Sequence, residues 1–149
     1  MTGSSKVSSD CTKDHPMASL HKDIAIDAHP DHVWDAVRDF GAVHQRLVPG
    51  FVLETHLDGD ARIVTFANGA VARELLVDCD DARRRLVYAV VSERVKQHSA
   101  SVQVIADGAT RSRLVWTVDV LPNEIAPYMN AQMDQAALAM QKALDRNAA

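Results

Sequence analysis

Two adjacent residues of opposite charge, Arg73 and Glu74, lie in the strand-like run AVARELLVDCDDARRRLVYAVV at residues 70–91. Successive side chains of a strand point to opposite faces of the sheet, so one of the two charges must point inward. A charge that faces a core costs several kcal/mol unless it is paired or hydrated. The pattern therefore predicts that this strand lines something other than a plain apolar core.

Alternation by itself favours Arg73 as the inward residue, because Arg73 shares its face with apolar residues only. The two faces are Val71, Arg73, Leu75 and Val77 on one side, and Ala72, Glu74, Leu76 and Asp78 on the other. On this count Glu74 is a hydrated residue at the sheet surface. The reverse orientation needs a polar cavity, and it needs the opposite face to be shielded by helices, by a bulge or by a dimer partner.

Acid–base chemistry is the reaction type that these side chains would support. A desolvated Glu74 could exchange a proton with the carbon next to a ligand carbonyl, and His98 could assist it. Such a pair suits aldol-type cyclisation or dehydration. His98 shares a strand face with Val102 and so points inward if that face is the buried one. A histidine that is simply satisfied within a core is the alternative.

Apolar side chains on the inward strand faces and on the last helix predict the wall of an internal cavity. Methionine and alanine fill the space under a curved sheet less completely than leucine and phenylalanine, although methionine stripes are also common in ordinary cores. The predicted wall consists of Phe66, Tyr88, Val102, Trp116, Met129, Met133 and Met140. We expect it to open between the loops ANG (67–69) and SERVKQ (92–97). Near this mouth, His44 and Arg46 could bind an anionic ligand group or be ordinary hydrated residues.

Several classes of function lack their sequence signals. There is no GxSxG, glycine-rich phosphate loop, HExxH or Cys/His metal spacing, so we expect no metal and no cofactor. A net charge of -4 without a long basic run gives no electrostatic signal for binding to nucleic acid or to an anionic membrane. Without a bilayer-length apolar run or a signal peptide, we expect a soluble, cytoplasmic protein. Cys11 and Cys79 should be free thiols.

The order of predicted elements indicates one domain. Residues 1–18 are polar, so we expect a flexible arm there and a single folded domain over 19–149. The run at 19–28 alternates as a strand, a helix follows with Pro30 at its first position, and a short second helix spans about 41–47. Alternating runs with short links then predict antiparallel strands at Phe51–Leu57, Arg62–Phe66, Val71–Asp78, Arg85–Val91, His98–Ile105 and Ser112–Leu121.

A long amphipathic helix ends the chain, with Asn123 as its predicted N-cap. Its apolar stripe is Met129, Met133, Ala136, Ala137, Met140 and Leu144. Together the elements predict an α+β domain in which a curved, seven-stranded antiparallel sheet has its concave face covered by this helix. Such an architecture leaves room for a cavity.

Three strings resemble the START-like superfamily, also called Bet v 1-like or SRPBCC, and most closely its polyketide cyclase/dehydrase-like group. HPDHVWDAVRDFGAVHQRLVPG resembles the opening helix pair of that group, ARELLVDCDDARRRLVYAVV its middle hairpin, and TRSRLVWTVDVLP its last strand. The likeness covers about residues 20–147. It implies the helix-grip fold, with two short helices after the first strand, more specifically than it implies a function.

The plant abscisic-acid receptors of the same superfamily share the Glu-led strand and the acidic turn. Matching that segment places Glu74 where their cavity glutamate lies, His98 near a cavity-facing tyrosine and His44 near their ligand-carboxylate lysine. This resemblance implies that Glu74 faces the cavity, which reverses the alternation count. Their gate-loop string does not match FANGAV, and SERVKQH matches only in part. Neither a hormone-type gate nor a phosphatase partner is implied.

Two functions are the leading hypotheses. The first is a binding module that holds one small hydrophobic molecule, oriented by Glu74 and His98 directly or through water. The second is a polyketide cyclase/dehydratase-like enzyme that uses the same residues for acid–base catalysis. A lipid carrier or an interaction protein without a ligand is a third. The expected partner is thus a small hydrophobic molecule, with a homodimer also open and with no nucleic acid or membrane span.

Overall fold

The computed structural model describes residues 15–145, so most of the predicted arm, with Cys11, lies outside the described residues. The first elements are β1 (Ala18–Ile26), α1 (Pro30–Arg38), a 3₁₀ turn (Phe40–Ala42) and α2 (Val43–Arg46). Six strands follow: β2 (Val52–Asp58), β3 (Ala61–Phe66), β4 (Val71–Asp80), β5 (Arg85–Val91), β6 (Gln97–Ala106) and β7 (Ser112–Leu121). A second 3₁₀ turn (Asn123–Ile125) leads into α3 (Ala126–Leu144).

The seven strands of the described residues form one antiparallel sheet in the order β1-β7-β6-β5-β4-β3-β2. Consecutive strands from β2 to β7 are neighbours because short hairpins connect them. Two of these turns require glycine, since Gly59 and Gly69 have φ angles of 62° and 91°, where a side chain would be strained. The predicted antiparallel sheet is confirmed, and its strand boundaries lie within two residues of those expected.

Helix α3 covers the concave face of the sheet and completes the helix-grip fold. Its buried residues recur at helical spacing and join one core with the inward residues of β5, β6 and β7. These helix residues are Met133, Ala136, Met140 and Leu144. Within residues 15–145, no helix combines the length and the apolar character that crossing a bilayer requires.

The predicted N-cap of this helix, Asn123, is wrong. Asn123 begins the 3₁₀ turn, and its backbone N–H donates to the carbonyl of Pro16 over 2.8 Å. The α-helix begins at Ala126, and Pro127 lies in its first turn. Because proline has a fixed φ and no N–H to be capped, it favours a helix start at this position.

Helix α1 begins at Pro30, as the sequence predicts. The His29 side chain caps the helix by accepting a hydrogen bond from a backbone N–H of the first turn over 3.1 Å. The Trp34 indole N–H donates to Asp81 over 2.9 Å, and Arg38 binds the same carboxylate over 2.8 Å. These contacts fix α1 to the β4–β5 turn.

Candidate functional site

An internal cavity of about 540 Å³ lies between the concave face of the sheet and α3. Its wall includes Phe66, Tyr88, Val102, Trp116, Met129, Met133 and Met140, together with Glu74 and His98. All of these were predicted as site residues. A space of this size is far larger than one or two waters need, and it matches the volumes of small-molecule sites.

The polar centre of the wall is an ion pair between Arg62 on β3 and Glu74 on β4. Strand pairing puts the two residues opposite each other, and Arg62 Nε donates to Glu74 Oε1 over 2.7 Å. Arg62 is 5% exposed and Glu74 is 8% exposed. The guanidinium also donates to the Phe40 carbonyl over 3.3 Å and lies 4.0 Å from the Phe40 ring centroid. These contacts offset the cost of burying two charges.

Tyr88 on β5 places a phenol beside this ion pair. The guanidinium carbon of Arg62 lies 5.3 Å from the Tyr88 ring centroid, and the Trp116 indole N–H donates to the phenol oxygen over 3.2 Å. Burial raises the pKa of Tyr88 well above its ordinary value, and the negative charge of Glu74 raises it further. The phenol therefore stays protonated. Because its oxygen already accepts from Trp116, its O–H remains available as a donor.

His98 on β6 is a neutral imidazole with a defined tautomer. Its Nδ1 accepts from the backbone N–H of Val90 over 3.1 Å, so the ring proton is on Nε2. Burial lowers the pKa of His98, which keeps the ring uncharged. The β5–β6 pairing ends at Tyr88 and Ala100, and the imidazole takes the place of the strand carbonyl that Val90 lacks. In the described part of the chain, no group accepts from Nε2–H.

Glu74 faces the cavity and Arg73 faces outward, as the family resemblance implies and the alternation count does not. Arg73 is exposed and donates to Asp58 on β2 over 2.7 Å. Of the apolar residues that alternation groups with Arg73, Val77 is 60% exposed on the outer face, and Val71 is 63% exposed at the rim of the cavity opening. Val77 lies at a bulge in β4. The alternation count is wrong here because the outer face of β4 carries apolar residues without being covered.

His44 does not line the cavity, which corrects the prediction that it would bind an anionic ligand group. Val43 and Leu47 supply this part of the wall, because residues four apart share one face of a helical turn and His44 is rotated away from it. The Nδ1 atom of His44 is buried without a hydrogen-bond partner among residues 15–145. Arg46 is engaged by two aspartates, at 2.6 Å and 2.9 Å, and is likewise not a wall residue.

The cavity opens beside the two loops expected from the sequence and the start of α3. The exposed wall residues are Val71, Ser92, Arg94 and Tyr128. Val71 follows the β3–β4 loop, whereas Ser92 and Arg94 belong to the β5–β6 loop. At this opening the Asn68 side chain donates to the Tyr128 hydroxyl over 3.1 Å, and its carbonyl oxygen accepts a backbone N–H of its own loop over 3.0 Å. The loop tip is therefore fixed to the helix.

Arg62 is the partner of the buried carboxylate and was not predicted as a site residue. Alternation along β3 puts it on the same face as Phe66, which was predicted to line the cavity. The hairpin that turns at Gly69 then pairs Arg62 with Glu74. Both signals are present in the sequence, and combining them would have identified the partner of the buried carboxylate.

Metal-binding side chains do not cluster in the part of the chain that the structure describes. No three His, Cys, Asp or Glu residues there lie close enough to share an ion. Cys79 is an exposed free thiol outside the cavity, and desolvation of its sulfur raises its pKa.

A family model described as polyketide cyclase/dehydrase and lipid transport matches residues 17–149. A search of curated proteins finds no match. The solved structure of XoxI from Bacillus cereus is similar with a TM-score of 0.74 and 19% identity, over 85% of this chain and 95% of that one. An uncharacterised protein from Bacillus thuringiensis gives a TM-score of 0.75 and 19% identity, over 83% and 96%. Norcoclaurine synthase from Thalictrum flavum, in complex with dopamine and hydroxybenzaldehyde, gives 0.68 and 17%, over 85% and 85%. At these identities the likeness concerns the fold.

Proposed function

The chain belongs to the polyketide cyclase/dehydrase and lipid transport family, and from this premise we propose that it binds one small hydrophobic molecule in its internal cavity. The observation that carries the proposal is the enclosed volume of about 540 Å³ with a mainly apolar wall. An apolar molecule bound there would make dispersion contacts with the atoms of the wall and would remove its own surface from water.

The polar groups in the wall support an oriented mode of binding. Glu74 and His98 lie among apolar side chains, where a hydrogen bond to a ligand is not exposed to competition from bulk water. Met129, Met133 and Met140 lie on the opposite wall, and methionine adapts its shape to irregular ligands. A few directed hydrogen bonds within an adaptable apolar wall are typical of small-molecule sites.

Binding of an uncharged fluorescent dye, N-phenylnaphthylamine, tests the proposal. Ala136 is 2% exposed and lines the cavity, so Ala136→Phe adds a ring to the space that a ligand would occupy. We expect this variant to weaken dye binding by about tenfold or more. Leu138, on the same helix but 62% exposed, provides the control, and Leu138→Phe should leave dye binding unchanged. Equal affinities in the two variants would contradict binding inside the cavity.

The natural ligand can be identified by native mass spectrometry of the protein purified from its own host. A retained molecule would add a discrete mass to the intact protein, and denaturing conditions would release that mass. A cavity of about 540 Å³ leads us to expect an added mass in the range of small molecules.

Catalysis is the second candidate, and the position of Glu74 Oε2 favours it. Arg62 engages Oε1, whereas Oε2 has no hydrogen-bond partner within residues 15–145. Tyr88 and His98 each bring a free proton donor to the same wall. A carboxylate that accepts a proton from a ligand carbon, beside donors that hold the carbonyl oxygen, suits cyclisation or dehydration.

Glu74→Gln separates the two candidates, since it keeps the shape of the side chain but removes its charge and its proton exchange. If the protein only binds, the variant should change affinity by about tenfold or less. If it is an enzyme, turnover should fall by about a hundredfold or more while binding stays nearly intact. Both quantities should be measured with the ligand identified from the host. If neither affinity nor turnover changes in Glu74→Gln, Glu74 has no role in binding or catalysis.

A further inference from the structure

The polar residues of the cavity form a row across the sheet rather than a cap at one end. Arg62 pairs with Glu74, Glu74 with Val90, and Val90 donates to His98, so the row runs from β3 to β6. Tyr88 is the next inward residue along β5. Apolar wall residues lie on both sides of this row, with Phe66, Val95 and Met129 on the side of the opening and Leu86, Val102 and Met140 on the other.

This row has more hydrogen-bond donors than acceptors. His98 contributes Nε2–H, Tyr88 contributes its O–H, and Arg62 keeps N–H groups beyond those bound to Glu74 and Phe40. On the acceptor side, Glu74 Oε2 is the remaining oxygen of the carboxylate. A molecule in the cavity satisfies the row best when it brings an accepting oxygen to these donors.

The charges of the row cancel. Arg62 and Glu74 neutralise each other, and burial keeps both His98 and Tyr88 uncharged. Arg94, a further charged wall residue, lies exposed at the opening and away from the row. A charged ligand group placed at the row, whether anionic or cationic, would therefore have no counter-ion beside it in an apolar surrounding. Either costs several kcal/mol of desolvation that an uncharged molecule avoids.

We propose that the cavity selects an uncharged molecule whose hydrogen-bond-accepting oxygen, as in a ketone, lies between two apolar parts. The proposal rests on the binding function above and adds the chemical class and the orientation of the ligand. The oxygen accepts from Tyr88 and His98 at the row, one apolar part extends towards the opening, and the other packs against Val102 and Met140.

Benzophenone and its methylene analogue, which has C=CH₂ in place of C=O, form a matched pair for the test. The two differ in the oxygen alone, and the methylene analogue is the more hydrophobic, so a cavity without selection would bind it at least as well. Displacement of N-phenylnaphthylamine from the unmodified protein gives both affinities. We expect benzophenone to bind about tenfold tighter, and benzoylbenzoate, which adds a carboxylate, to bind about tenfold weaker than benzophenone.

Two variants test whether a hydrogen-bond donor of the row causes the preference for benzophenone over its methylene analogue. Tyr88→Phe removes one donor and should reduce the preference for benzophenone over the methylene analogue by several-fold. Met129→Leu changes the apolar wall only, so it should shift both affinities alike and leave their ratio unchanged. Because the readout is a ratio measured within one protein, loss of stability in a variant does not mimic the expected result.

Each outcome has a distinct meaning. If the dye itself does not bind in the cavity, the proposed binding function fails and this inference fails with it. If the dye binds there and none of the three compounds displaces it, this inference is refuted while cavity binding stands. If the two uncharged compounds bind equally, or the methylene analogue binds tighter, selection for an oxygen is refuted while cavity binding stands. If benzoylbenzoate binds as tightly as benzophenone, selection against charge is refuted.

Discussion

Removing Arg62 should destabilise the protein strongly, because Glu74 would lose its counter-charge without gaining water. Two opposite charges about 4 Å apart attract by about 4 kcal/mol at an effective dielectric constant of about 20. Breaking a buried pair by removing one partner costs about 3–5 kcal/mol. With both residues less than 10% exposed, we expect Arg62→Met to lower the free energy of unfolding by about that amount.

The chain contains its own control for this experiment. Arg73 and Asp58 form a pair with the same 2.7 Å distance between nitrogen and oxygen, but their side chains are 43% and 67% exposed. Solvent screens such a pair, so Arg73→Met should cost about 1 kcal/mol or less. Arginine, bond length and substitution are the same in both variants, which differ in burial and in the contacts that Arg62 makes with Phe40.

Urea denaturation followed by tryptophan fluorescence measures these free energies, and a double-mutant cycle isolates the pair. We expect Arg62→Met with Glu74→Leu to be more stable than Arg62→Met alone, with a coupling energy of about 2 kcal/mol or more. If Arg62→Met fails to fold, recovery of folding in the double variant supports the same conclusion. A loss below about 1 kcal/mol in Arg62→Met, or simple additivity in the cycle, would refute the reasoning.

The remaining predictions concern the two uncharged groups of the cavity. The sequence has two tyrosines, so in Tyr128→Phe the phenolate absorbance reports Tyr88. Because burial raises the pKa of Tyr88, the folded protein should show no phenolate at about pH 10, where an unperturbed tyrosine is half ionised. The unfolded chain releases this proton first, so the free energy of unfolding should fall as the pH rises above about 10, and a phenolate signal near pH 10 would contradict the burial. Because burial lowers the pKa of His98, the unfolded chain takes up a proton below about pH 6.5 while the fold does not, and stability should fall as the pH drops below that value. His98→Gln should weaken this acid dependence in urea titrations; an unchanged dependence would be inconsistent with a neutral buried ring.

Much of the fold was predictable because it depends on local patterns. Alternation, short turns and one amphipathic stripe gave the seven-stranded sheet and the long helix, and the family resemblance is confirmed by the model match over 17–149. Asn123 was misassigned because a polar residue after a proline resembles a cap, whereas Pro127 determines where the α-helix begins. Cytoplasmic location, a homodimer and the roles of Glu74 and His98 stay predictions.

The site was predictable in its apolar part and less so in its polar part. Phe66 and Met133 follow from periodicity, but the orientation of Glu74 depends on which face of β4 is covered, and the composition of one strand does not determine this. Arg62 becomes visible only when strand register is combined with alternation. The orientation of His44 was hard to predict for a related reason. Helix α2 has four residues, too few for periodicity to show whether Val43 or its neighbour His44 faces the cavity.

The hydrogen bond between Asn68 and Tyr128 has a consequence for the rate at which the cavity exchanges its contents. A ligand that enters or leaves between the β3–β4 loop and α3 has to wait until this contact opens, and loops move on timescales of nanoseconds to microseconds. The contact hinders entry and exit equally, so it lengthens residence without strengthening the bound state. Stopped-flow measurements on Asn68→Ala should therefore show faster association and faster dissociation of the dye, with a nearly unchanged ratio of the two rate constants.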